Sequence, residues 1–126
     1  MMLVITGLYA ACLTALYLLL TARVVMYRGA ANIAIGTGND KVMEARVRAH
    51  GNFAEFAPLG LILLAIAEAQ GSGAVWLHLC GGLLLAGRVL HGVNFSYDLK
   101  QMPLRVGGMI LTITSLALGS ILALPL

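Results

Sequence analysis

Four stretches of this chain are long enough to cross a lipid bilayer and almost free of charge, and nothing else in the sequence restricts its fold so tightly. Met1–Ala22, Ala69–Gly87 and Val106–Leu126 contain no Asp, Glu, Lys or Arg. A spanning helix needs about 20 mostly apolar residues. A fourth stretch, Val47–Ala67, is interrupted by Asn52, Glu55 and Pro58 but keeps an uncharged segment at Phe56–Ala67. Backbone groups in hydrocarbon must be paired within the protein, and helices do this segment by segment. The expected fold is therefore all-α: an integral membrane four-helix bundle with helices at about 3–26, 44–69, 73–95 and 104–124, forming one domain over 1–126.

Composition argues against a soluble alternative. The chain is 60% hydrophobic and 10% charged, whereas soluble domains carry about 25% charged residues. Its net charge of +3 does not point to nucleic acid, because no basic stripe with interleaved aromatics is present. Met1–Ala22 lacks a basic region ahead of its apolar run, and Arg23 follows it, so it reads as a retained first helix rather than a cleaved signal.

The eight Lys and Arg residues all fall on one side of this arrangement. Arg23, Arg28, Lys41, Arg46 and Arg48 lie in or beside the first connection, and Arg88, Lys100 and Arg105 in or beside the third. Cytoplasmic loops carry the excess of Lys and Arg. The first and third connections are thus expected in the cytoplasm, with both termini and the Gln70–Gly73 turn outside. Trp76 near the outer end of the third helix fits an interfacial anchor. Gly29, Gly36, Gly38, Asn39 and Asp40 mark the first connection as a loop. Small residues within the spans, among them Gly81, Gly87, Gly107, Gly108 and Gly119, suit close helix packing. Cys12 and Cys80 both fall in apolar runs without metal-type spacing, and read as buried free thiols.

Three groups of polar residues remain inside or beside the spans. Arg48, Asn52 and Glu55 are spaced i, i+4, i+7 and share one helix face. A charge at mid-membrane costs about 2.5–3.5 kcal/mol on insertion scales, so Glu55 needs a partner, and Arg88 is the expected one. Either Glu55 ties two helices together or it belongs to a ligand site. Arg88, His91 and Phe95 form a second row on the third helix. His91 taken alone reads as an interfacial histidine before a catalyst, and His50 and His78 as structural ones. Arg105 follows Pro103 at the start of the fourth helix, beside free backbone N–H groups, where an anion or thiolate is favoured. A snorkelling interfacial arginine is the alternative there. No histidine pair has metal spacing with carboxylates, so no metal is expected. Together these residues describe a basic pocket with one acid at the inner face.

The same residues resemble a known family. Arg48-Ala-His-Gly-Asn52-Phe-Ala-Glu55-Phe-Ala-Pro58 is similar to the second-helix signature R-A-x-x-N-x-x-E-x-x-P of the membrane-associated proteins in eicosanoid and glutathione metabolism, the MAPEG superfamily. Gly87-Arg88-Val-Leu-His91-Gly-Val-Asn-Phe95 resembles the third-helix segment of its prostaglandin synthases, and Pro103-Leu-Arg105 the P-x-R that opens its fourth helix. The resemblance covers nearly the whole chain and is closest to small bacterial members.

What the resemblance implies is specific. Four-helix subunits would form a homotrimer in a bacterial inner membrane. Glutathione, as cosubstrate, would bind between neighbouring subunits on the cytoplasmic side. Arg48, Asn52 and Glu55 would hold the tripeptide's polar groups. Arg23 would lie near its thiol or backbone, with Arg88 and His91 lining the pocket. Arg105 would stabilise the thiolate and is the catalytic residue expected. The reaction would be transfer of glutathione to lipophilic electrophiles, or reduction of lipid hydroperoxides. Phe56 and Phe95 stand where some members have tyrosines, Gly51 replaces an arginine and Val106 a serine, so prostaglandin isomerisation is not expected. A non-catalytic protein that binds lipid or a partner is the alternative implied. A small multidrug transporter fits poorly, because Met1–Ala22 lacks the carboxylate such proteins need in their first helix.

Overall fold

The computed structural model describes residues 2–93 and 102–125, so Phe95 and Lys100 lie outside the described residues. Among the described residues four helices account for the fold: α1 (Val4–Ala31), α2 (Lys41–Ala69), α3 (Ala74–Val93) and α4 (Met102–Leu122). All four are long and apolar enough to cross a membrane. The chain is an all-α integral membrane protein, as its uncharged runs require.

The helix ends differ from expectation around the first connection, and local chemistry explains both shifts. α1 continues to Ala31 rather than residue 26, so Gly29 is helical and not part of the loop. It stops at Asn32, which adopts φ 55°. The N–H groups of Asn32 and Ile33 then both reach the Arg28 carbonyl, the pattern that closes a helix through a left-handed residue. α2 begins at Lys41 rather than 44 because Asp40 caps it. Asp40 Oδ1 accepts from the N–H groups of Val42 at 2.8 Å and Met43 at 3.0 Å. Its other oxygen accepts from the Tyr27 hydroxyl at 2.9 Å, joining the end of α1 to the start of α2. These bonds, first that from Met43 and then that from Tyr27, hold the Asp40 carboxyl below the usual carboxylate range.

Helices α2 and α3 form the centre of the bundle. Each touches the other three helices, while α1 and α4 make no contact among the described residues and flank the pair on opposite sides. The α3–α4 crossing is close because two glycines face each other. A Cβ at Gly87 would lie 2.7 Å from the Gly108 carbonyl oxygen, and one at Gly108 2.7 Å from that of Gly87. Any side chain at either position forces the helices apart. Gly107, one residue away, meets nothing within 4 Å and plays no such part.

The core divides into a cluster toward the basic connections, termed the inner end of the bundle, that includes Leu13, Leu16, Leu20, Phe53 and Leu84, and one toward the chain termini, termed the outer end, of Leu64, Ala67, Leu77 and Cys80. Large apolar side chains such as Leu18, Val25, Ile62, Ile110 and Ile121 are exposed on the outside of the bundle. Lipid tails are as apolar as leucine, so burial alone does not hold the helices together. Close packing and polar ties must do so. At the outer end the ties are clear. Glu68, on α2, accepts from the N–H groups of Ile5 at 2.8 Å and Thr6 at 2.7 Å. It thereby satisfies the open first turn of α1 with a negative charge at the positive end of the helix dipole. The Tyr9 hydroxyl donates to the His78 carbonyl at 3.1 Å. Cys80 and Ser115 exchange bonds between α3 and α4, the Ser115 hydroxyl donating to the Cys80 carbonyl at 2.8 Å. Cys80 is buried as expected, but Cys12 is exposed on α1, which corrects the expectation that both thiols are packed inside.

Candidate functional site at the inner end of the bundle

Arg88 organises the inner end. It lies one turn before the end of the described part of α3 and is only 1% exposed. Its guanidinium joins three helices. Nη1 donates to Asn52 Oδ1 at 2.5 Å and to the Asn52 carbonyl at 3.2 Å on α2. Nε donates to Thr112 Oγ1 at 3.1 Å on α4, and Nη2 contacts Met109 Sδ at 3.3 Å. The Phe56 ring lies 5.6 Å from Cζ. Arg was the right residue type for this position, because its planar fork serves several acceptors at once.

The expected Arg88–Glu55 pair does not form. Glu55 is exposed on the surface of the bundle, and so is Arg48. Residues 48 and 55 are two helical turns apart and share a face, whereas Asn52 is turned toward α3. Asn52 therefore takes the bonds assigned to Glu55. The described partners of Arg88 are all uncharged.

His91 and Arg105 complete the inner end. His91 is buried at 6% exposure, one turn beyond Arg88. Arg105 is half-buried in the first turn of α4, after Pro103. Both line a cleft of about 330 Å³ with Met102, Val106, Met109 and Ile110. Met109 lies both on the cleft and against Arg88. Asn52, Arg88, His91 and Arg105 are thus brought together, while Arg48 and Glu55 sit on the neighbouring exposed strip of α2.

Arg23 lies elsewhere, on α1 beyond the α2–α3 pair. Its carbonyl accepts from Arg46 Nη1 at 3.0 Å. The Arg46 guanidinium also stacks over the Tyr27 ring, 4.6 Å from its centroid. Arg46 was not among the residues the sequence singled out, and neither were Thr112 and Met109. Thr112 carried a signal, since it stands i+7 from Arg105 and so shares its face of α4. His50 stacks on Tyr17 at 4.9 Å, with Nε2 3.1 Å from the Thr21 hydroxyl, in line with a structural role.

The MAPEG family matches residues 6–125 of the chain. This chain belongs to the MAPEG family. Inner membrane protein YecN of Escherichia coli (strain K12) is 32% identical to it over 95 residues, covering 75% of this chain and 72% of the relative. The protein of the same name from Escherichia coli O6:H1 matches equally well. No solved structure gives a significant match. Membership in this glutathione and eicosanoid family agrees with the membrane fold. The MAPEG signature on α2 now has a physical meaning at one position: its Asn52 is the partner of the buried arginine of α3.

Chemically, the inner end offers a guanidinium on an apolar-walled cleft and a second guanidinium just behind it, partnered by neutral groups. Positive charge in a low-dielectric setting favours an anion strongly. The start of α4 adds the positive end of a helix dipole.

Proposed function

We propose that the inner-end cleft binds glutathione and that the protein is a glutathione-dependent membrane transferase or peroxidase. The observation that carries this reading is Arg88, buried with only neutral described partners, directly behind the cleft on which Arg105 stands. A cation held this way leaves net positive charge for an anionic ligand to offset.

Arg105 would favour the thiolate over the thiol. An adjacent opposite charge lowers a pKa by about 1–3 units, and each unit is about 1.4 kcal/mol. The thiolate then attacks an electrophilic carbon, displacing a leaving group and forming a thioether. With a lipid hydroperoxide it attacks the peroxide oxygen, releasing the alcohol and a sulfenic acid that a second glutathione converts to disulfide and water. The lipophilic substrate reaches the cleft laterally, through the exposed apolar flank of Val106 and Ile110.

One subunit does not gather all the expected residues. The cleft lies on the α3–α4 side, Arg23 on the α1 side, and Glu55 and Arg48 on the exposed strip between them. In a ring of subunits joined head to tail, the α1 side of one copy meets the α4 side of the next. A homotrimer of this kind would bring Arg23 of a neighbouring copy to the cleft and cover Glu55. The basic first and third connections would face the cytoplasm of a bacterial inner membrane, with both termini outside.

Replacing Arg105 with Ala is expected to raise the pKa of bound glutathione by about 1 unit or more and so to reduce its ultraviolet thiolate absorbance at neutral pH by roughly threefold to tenfold per unit. Unchanged absorbance and turnover would remove Arg105 from this role. A second reading, a non-catalytic binding protein, draws support from Phe56, which packs on Arg88 and offers no hydroxyl to a ligand. Glutathione that binds without forming thiolate would favour it.

A further inference from the structure

Arg88 is almost fully enclosed, so a ligand in the Arg105 cleft cannot touch it unless a side chain moves. Its described acceptors are not alike. Asn52 offers Nη1 two oxygens, that of its side chain and that of its backbone. Thr112 Oγ1 accepts from Nε and donates in turn to the Gly108 carbonyl at 2.8 Å, so it is tied on both sides. Among the described residues Nη2 has only the Met109 sulfur, at 3.3 Å. A thioether is a weak acceptor, well below a carbonyl or hydroxyl oxygen.

Met109 also differs from the other partners in position. It stands i+4 from Arg105 on α4, is half-buried, and lines the cleft together with Arg105 and His91. Neither Asn52 nor Thr112 lines it. A methionine side chain is unbranched, with three rotatable bonds, and re-packs without backbone movement. Met109 thus combines the weakest bond to Arg88 with the freest side chain and with contact to the cleft. It forms the wall between the two guanidiniums.

We infer that Met109 is a positioning residue that closes Arg88 off from the cleft, and that a carboxylate of the ligand displaces it from Nη2. The exchange replaces a bond to neutral sulfur with a charge-assisted bond to oxygen. It also brings the counter-charge that the described partners of Arg88 lack. Asn52 and Thr112 keep the guanidinium in place while Nη2 changes partner. A neutral ligand forms no such bond and stays on the Arg105 side of the wall, so Met109 selects for anions. The inference rests on the reading of the cleft as an anion site for glutathione, and names the side chain that moves for Arg88 to serve it.

The test is calorimetric titration of the full-length protein in nanodiscs with glutathione, with butyrate and with butyramide, the neutral isostere of butyrate. Met109→Leu keeps the volume, an exchange cores tolerate well, but leaves Nη2 without its sulfur until an anion arrives. It is expected to bind glutathione and butyrate more tightly by about threefold or more, with butyramide unchanged. Met109→Gln, which gives Nη2 a competing carbonyl oxygen, is expected to weaken both anions by a similar factor. A residue that merely lines the cleft would give the opposite sign or no change on Met109→Leu. Weaker or unchanged anion binding in that variant, or an equal gain for butyramide, overturns the inference. If glutathione binds the wild type and both variants alike, the inference fails while the ligand reading stands. If butyrate follows the expected pattern and glutathione does not bind, the ligand reading fails while the inference stands. Binding of neither anion to the wild type overturns both. Should one variant fail to fold, the sign of the change in the other decides.

Discussion

The two ends of the bundle handle buried polar groups in different ways. At the outer end a carboxylate meets its need completely: Glu68 accepts two N–H bonds from the start of α1. Cys80 with Ser115, and Tyr9 with His78, pair off likewise. These groups close on one another and fasten helices. At the inner end Arg88 is bonded through its nitrogens to Asn52 and Thr112, yet its charge has no counter-charge among those partners. Among the described residues its hydrogen bonds are met while its charge is not. In a low-dielectric setting that difference separates a fastening from a receptor for an anion.

Substitutions at the two ends should therefore separate stability from binding. The largest effect is expected from Arg88→Ala. It empties a fully buried volume and strips Asn52 and Thr112 of their donor, so a loss of about 2–4 kcal/mol in stability follows, together with loss of glutathione binding. Thermal unfolding and calorimetry read the two outcomes. If stability falls while binding persists, Arg88 is a fastening too, and the contrast between the ends disappears.

Asn52→Ala comes next. It leaves Arg88 buried with one neutral partner fewer, at about 1.5–3 kcal/mol for a lost bond to a charged group. Glutathione affinity should drop as the Arg88 side chain loses its position. Glu68→Gln should sharpen the comparison from the other end. It removes the charge at the α1 dipole and weakens the cap by about 1 kcal/mol, with glutathione affinity unchanged. Altered affinity would show that the ends are coupled.

The smallest effect concerns pH. The folded chain holds Asp40 below the usual carboxylate range, chiefly through the Met43 N–H and then the Tyr27 hydroxyl. Its contribution is therefore present above the unfolded pKa and is lost as pH falls through the lowered folded one. Melting curves of the wild type should fall across that acid window. Those of Asp40→Asn, which keeps an oxygen at the cap, should fall less.

Much of this was readable from the chain before its fold. The spans were legible because uncharged runs of bilayer length have few alternatives. The inner cluster was legible in part, since Asn52 and Arg88 share a level that helix geometry fixes from the turns between them. Which of Asn52 and Glu55 faces Arg88 depends on the rotation of α2 about its axis, and the spacing i, i+3 leaves both within reach of one face. The Glu68 cap joins residues more than sixty positions apart, and no local pattern announces it. One signal was present: Glu68 is an acid on the side of the membrane that has no Lys or Arg, so backbone N–H groups were its natural partners. The extension of α1 past the apolar run was hidden because helix ends are set by caps, not by hydropathy.

Glutathione titrated calorimetrically into the wild type, Asn52→Ala and Glu68→Gln proteins in detergent tests the contrast most directly. Binding heat in the wild type and Glu68→Gln, with little or none in Asn52→Ala, is the result expected. No heat in the wild type at millimolar glutathione, or equal heat in all three, would contradict it.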